Sequence, residues 1–147
     1  MASSSQGELF KVLRESQSKY TYFLLAAVGA GIGFALTQTQ NDPLSLTHIP
    51  LGLAIISWGA SFYCGCKHLS YVHSNLFANF DLLKMQAGTH PEVGRDPNKM
   101  HIAKEVMIEI IEDNSETSSK YANWQFRLLI FGAVTYIVWH VIEMAIR

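Results

Sequence analysis

The sequence predicts an all-α integral membrane protein with three transmembrane helices and a cytoplasmic antiparallel helical hairpin. The first observation is length. Residues 20–37, 49–66 and 126–146 are apolar runs of 18, 18 and 21 residues with few ionisable side chains. A helix rising about 1.5 Å per residue needs such a run to cross a hydrocarbon core roughly 30 Å thick. The second observation is charge placement. Lys11, Arg14 and Lys19 precede the first run, and seven basic residues from Lys67 to Arg127 separate the second from the third, while 38–48 holds none. Basic residues stay on the cytoplasmic side, so the amino terminus and the middle segment are expected inside and the carboxyl terminus outside a bacterial inner membrane. The third observation is helical periodicity that continues past the second run and begins well before the third.

The first element is an interfacial helix over 6–19. Ser5 and Glu8 have capping-box spacing, and Leu9, Leu13, Gln17 and Tyr20 share a face, with Arg14 and Lys19 beside it to meet headgroups. The chain is expected to turn upward there into the first span, 20–37, which is retained as an anchor because no small-x-small exit site follows. A short outer turn at Asn41-Asp42-Pro43 leads to the second span, 49–66.

That second helix is expected to continue in the cytoplasm to residue 87, since Phe62, Leu69, Val72, Leu76, Phe80 and Leu83 recur at spacings of three, four and seven. Gly88 and Pro91 supply the stop. Asp96 and Pro97 read as N-cap and first helical residue of a helix over 96–125 that runs on into the third span, 126–146. Ala103, Met107, Ile110, Asn114, Thr117, Tyr121, Trp124 and Leu128 step by four and three, a coiled-coil seam with a polar middle that packs back on the second helix. The stretch 113–119 is its least helix-favouring part. The whole chain, 1–147, is expected to form a single membrane domain.

Composition excludes some functions. A net charge of −1 and a pI near 6.6 give no basic surface for nucleic acid. Two cysteines, Cys64 and Cys66, form no disulfide framework, and two positions apart on a helix they point about 200° from one another, too far to share a metal. Cys64 and His68 alone share a face. No cofactor is expected. The strip His68, Tyr71, Asn75 and Asn79 reads as a packed or solvated polar face.

Two sets of residues stand out. Gly29, Gly31 and Gly33 in the first span, with Ser57, Ser61 and Gly65 in the second, are small side chains that let helix backbones approach closely in lipid, either with each other or between copies of the chain. His140 and Glu143, near the outer end of the third span, could join His48 and Asp42 of the outer loop as an ion or proton path; the alternative is a surface Glu143 paired with Arg147.

The Arg-x5-His spacing of Arg95 and His101 resembles the motif of the HEPN ribonuclease superfamily over those two residues alone, with Asp96-Pro97 placing the arginine on a loop. The layout resembles the small two-span effector proteins of bacterial defence systems with a third span added, and that resemblance implies pore formation. Catalysis is not expected, because no nucleophile elbow or phosphate loop is present. The leading expectation is an oligomeric membrane assembly or adaptor protein, in contact with lipid, whose hairpin binds a cytoplasmic protein. The alternative is a homo-oligomeric channel or effector pore.

Overall fold

The computed structural model describes residues 2–40, 45–91 and 97–146. Among these the chain is all-helical, with no strand: α1 is Ala2–Gln38, α2 is Ile49–Gln86, and α3 is Pro97–Ile146. A single 3-10 turn, Leu46–His48, leads into α2. Each of the three helices contains a stretch long and apolar enough to cross a membrane.

α1 differs from expectation at its start. It begins at Ala2, ahead of Ser5, so the Ser5–Glu8 pair does not open the helix, and it has no break between 19 and 20 where the chain was expected to turn from the interface into the membrane. The physical reason is that no glycine or proline stands between Gly7 and Gly29, and Thr21 bonds back to the Gln17 carbonyl (3.1 Å) without interrupting the ladder.

α2 ends in a Schellman cap. Gly88 takes φ 66°, which a glycine adopts without a Cβ clash, and the Gly88 and Thr89 amides donate to the Met85 and Lys84 carbonyls, both at 3.0 Å. Asp96, the expected N-cap of α3, lies outside the described residues, as do Asn41, Asp42 and Pro43. α3 is helical throughout 113–119. Favourable i,i+4 pairing contributes there: Lys120 Nζ is 2.7 Å from Glu116 Oε1. The Lys120 ammonium, by hydrogen bond and by charge, holds the Glu116 carboxyl below its usual range. The pair is therefore complete at neutral pH and is lost as pH falls through that lowered value.

The inward positions of α3 correct the predicted seam. Ala103, Met107, Asn114, Thr117 and Tyr121 are at least half-buried, but Ile110 and Trp124 are exposed, and Ile111 and Gln125 take their places. The inward row runs from Ala103 to Trp139 in ten steps over 36 residues. That is the 3.6-residue turn of an α-helix, which drifts away from a 3.5-residue heptad after about two repeats.

The chain divides into two compact units, Met1–Gly65 with Ala122–Arg147, and Cys66–Tyr121. In the first, three helices pack around Val28, Ala35, Leu51, Trp58 and Trp139. Small and polar side chains go inside with them, among them Ala54, Ser57 and Ser61, while Phe23, Phe34, Ile56, Ile137 and Val141 face outward. In the second unit, α2 and α3 meet with numbering that rises on one as it falls on the other: His68 with Ser118, and Ser74 with Asn114.

Candidate functional site

Trp58 organises the first unit. Its indole Nε1 donates to the Leu129 carbonyl at 3.2 Å, and its ring lies over two glycines, one on each neighbouring helix. A Cβ on Gly31 would stand 3.3 Å from the ring, and one on Gly132 only 2.6 Å from it. A tryptophan fits between three helices here because those two positions have no side chain. One turn further along α2, Ser61 is fully buried and donates to the Gln125 carbonyl at 2.7 Å. Gly65 completes the contact, since a Cβ there would meet Gln125 Nε2 at 2.6 Å and Leu25 at 2.7 Å.

The small residues singled out from the sequence thus separate into two groups. Gly31, Ser57, Ser61 and Gly65 lie at contacts within the chain, whereas Gly29 and Gly33 have open space where a Cβ would be. Trp58, Gly132 and Gln125 were not singled out. Gly132 carried a signal, as the one glycine in the 50 residues of α3.

Of the residues considered for an ion or proton path, His48 and His140 both lie beside Trp139, and Glu143 is half-buried one turn beyond His140. The His140 ring is exposed and stacks on Tyr136 at 6.4 Å, and His48 lies with its ring 6.1 Å from Trp139. The Tyr136 hydroxyl donates to Gln38 Oε1 at the end of α1. His48 Nδ1 is 2.8 Å from Ser45 Oγ, while its Nε2 and the Trp139 Nε1 are buried with no hydrogen-bond partner among the described residues. Asp42 lies outside them. Trp58, Tyr136 and Trp139 pack ring against ring here, with centroids 5.7 and 5.5 Å apart. No group of three His, Cys, Asp or Glu suited to a metal occurs among the described residues.

The second unit holds a polar layer. His68 Nδ1 is 3.0 Å from the Ser118 carbonyl and 2.9 Å from the Ser118 hydroxyl. A carbonyl only accepts, so the Nδ1–H tautomer donates to it, while the other tautomer accepts from the Ser118 hydroxyl; that hydroxyl also lies 3.5 Å from the His68 carbonyl. The pair ties α2 to α3 within this layer. Asn114 donates to Ser74 at 3.3 Å, and Tyr71 stacks on Tyr121 with centroids 5.8 Å apart. The strip His68, Tyr71 and Asn75 is thus the packed face of α2, and Asn79 bonds its own helix at the Asn75 carbonyl. His101 is 3.7 Å from Glu105, and Arg95 lies outside the described residues.

Opposite the inward row of α3, Glu105, Glu109, Glu112 and Glu116 follow one another at four, three and four residues, all exposed. On a helix of 100° per residue they form one line pointing away from α2. Beside it Ile102, Val106 and Ile110 are also exposed, at 63%, 50% and 44%.

These features define a class only: an all-helical chain with three helices long and apolar enough to span a membrane. No family model matches the chain, and neither a curated protein nor a solved structure matches it.

Proposed function

We propose that this protein is a small oligomeric assembly or adaptor module of a bacterial inner membrane, amino terminus inside and carboxyl terminus outside, whose cytoplasmic helical hairpin binds a protein partner. Its membrane placement is supported by the first unit, in which large apolar side chains face outward and small or polar ones inward. That distribution suits a lipid surround and would be unfavourable in water. The observation that carries the adaptor reading is the outer face of α3, where a row of four carboxylates lies beside three exposed aliphatic side chains. Such a face fits a basic amphipathic helix, which would bury its apolar side on the aliphatic ridge and place cations on the row.

The test is affinity purification of the full chain from membranes, with and without Glu109→Lys and Glu112→Lys. The reading expects a stoichiometric partner that the double variant loses by at least tenfold, because charge reversal at both sites sets like charges together. A partner retained unchanged, or none at stoichiometric level, would overturn it. The competing channel reading is decided by ion flux in liposomes. Flux above that of empty vesicles, lowered by Glu143→Gln or His140→Ala, would establish a conducting path, and the adaptor reading expects neither variant to have an effect.

A further inference from the structure

The three helices of the first unit carry matching boundary markers at both ends. At the inner end, Leu25 of α1 and Gln125 of α3 close on Gly65 of α2, and Ser61 donates to the Gln125 carbonyl. Tyr22, Tyr63 and Trp124 lie within one turn of these contacts, one on each helix, and are 54%, 57% and 56% exposed. A ring of outward aromatic side chains suits the boundary between headgroups and hydrocarbon, where an apolar body and a polar tip are both satisfied. Arg127 is exposed one turn further along, with its guanidinium 6.0 Å from the centre of the Trp124 ring, so its charge rests near the same level. At the outer end, Tyr136 bonds Gln38 and the His48 ring lies beside Trp139. There Gln38, Ser45 and His140 are exposed polar residues at the end of α1, just before α2, and on α3. Between the two levels Phe34, Ile56, Phe131 and Ile137 face outward.

The separation of the two levels agrees on all three helices. From Tyr22 to Gln38, from Tyr63 back to Ile49, and from Trp124 to His140, a rise of about 1.5 Å per residue gives about 21–24 Å. An ordinary hydrocarbon core is roughly 30 Å thick, so the belt is short by roughly 6–9 Å. Extending the hydrocarbon outward would sink Gln38, Ser45 and His140 into it, and extending it inward would sink Lys19 and Asn123, both exposed. Tilting the bundle does not help, since a tilted belt spans less of the bilayer normal.

We infer that the partner this belt fits is a bilayer of short acyl chains, and that in an ordinary bilayer the protein thins the lipid around itself. The inference rests on the membrane reading and needs no protein partner.

The full chain is reconstituted into vesicles of dimyristoleoyl, dioleoyl or dierucoyl phosphatidylcholine. Its thermal unfolding midpoint is expected to be highest in the short-chain dimyristoleoyl lipid and lowest in dierucoyl. In dioleoyl vesicles, the headgroup-to-headgroup distance from X-ray scattering should fall as protein is added. Gln38→Leu with His140→Leu lengthens the belt outward and is expected to move the optimum to dioleoyl. The readout is the lipid of highest midpoint, so a variant that is weaker in every lipid still reports its preference. A wild-type optimum in dioleoyl or dierucoyl, midpoints independent of chain length, or an unchanged headgroup distance would overturn the inference while leaving the membrane reading in place. Protein that floats with none of the vesicles would remove both.

Discussion

Trp58→Ala is expected to lower the unfolding free energy by about 3–5 kcal/mol, the range for removing a buried aromatic side chain. The ring is 7% exposed and contacts all three helices of its unit: Gly31 on α1, Gly132 on α3, and its own α2 neighbours. Its loss leaves a cavity that glycines cannot fill and removes the indole bond to the Leu129 carbonyl. In lipid there is little hydrophobic drive to close that space, because the helices already face an apolar solvent and depend on packing. Thermal unfolding in nanodiscs, followed by near-ultraviolet circular dichroism, should show a large drop in midpoint. Trp58→Phe keeps most of the volume and is expected to lose only about 1 kcal/mol with the hydrogen bond. Equal midpoints for wild type and Trp58→Ala would mean that Trp58 does not hold the bundle.

Gly132→Ala should destabilise by about 1–3 kcal/mol, as overpacking does, even though alanine favours a helix over glycine by about 1 kcal/mol. The new Cβ would stand 2.6 Å from Trp58 Cδ1 and Nε1 and 3.2 Å from the Ala54 carbonyl oxygen. Neither neighbour yields readily, since one is a ring fixed by its own hydrogen bond and the other is backbone. Gly65→Ala meets the ends of the Gln125 and Leu25 side chains, which can rotate away, so its effect should be smaller. Gly29→Ala and Gly33→Ala meet open space and should be neutral or stabilising. The same unfolding assay ranks the four variants, and a Gly29→Ala loss as large as that of Gly132→Ala would contradict the placement of these glycines.

Much of the fold was legible because it depends on quantities local in sequence. Residues 20–37, 49–66 and 126–146 show their length and apolarity directly, and Gly88 marks the end of α2 through its own backbone freedom. The start of α1 and its expected turn at residue 19 were less legible, since Ser5 and Glu8 satisfy a capping pattern whether or not the helix begins there. The seam of α3 was legible to within one residue. A choice between periods of 3.5 and 3.6 moves the inward side chain from Ile110 to Ile111 and from Trp124 to Gln125, and the sequence admits both.

The candidate site was less legible, because it depends on which faces meet. Gly29, Gly31 and Gly33 look alike in sequence, yet only Gly31 lies under Trp58. His68 and Ser118 are 50 residues apart, and their pairing arises only when α2 and α3 are side by side. By itself the sequence determined that the chain is helical and that three of its segments can cross a bilayer, because hydrophobic length and backbone propensity act residue by residue. Only the tertiary structure decided which face of α2 turns inward: His68, Tyr71, Asn75, Ala78, Leu82 and Met85 are covered, while Leu76, Phe80 and Leu83 are exposed. That choice is a competition between two faces of one helix, settled by the shape and hydrogen-bonding groups of α3, and no local pattern in α2 contains it.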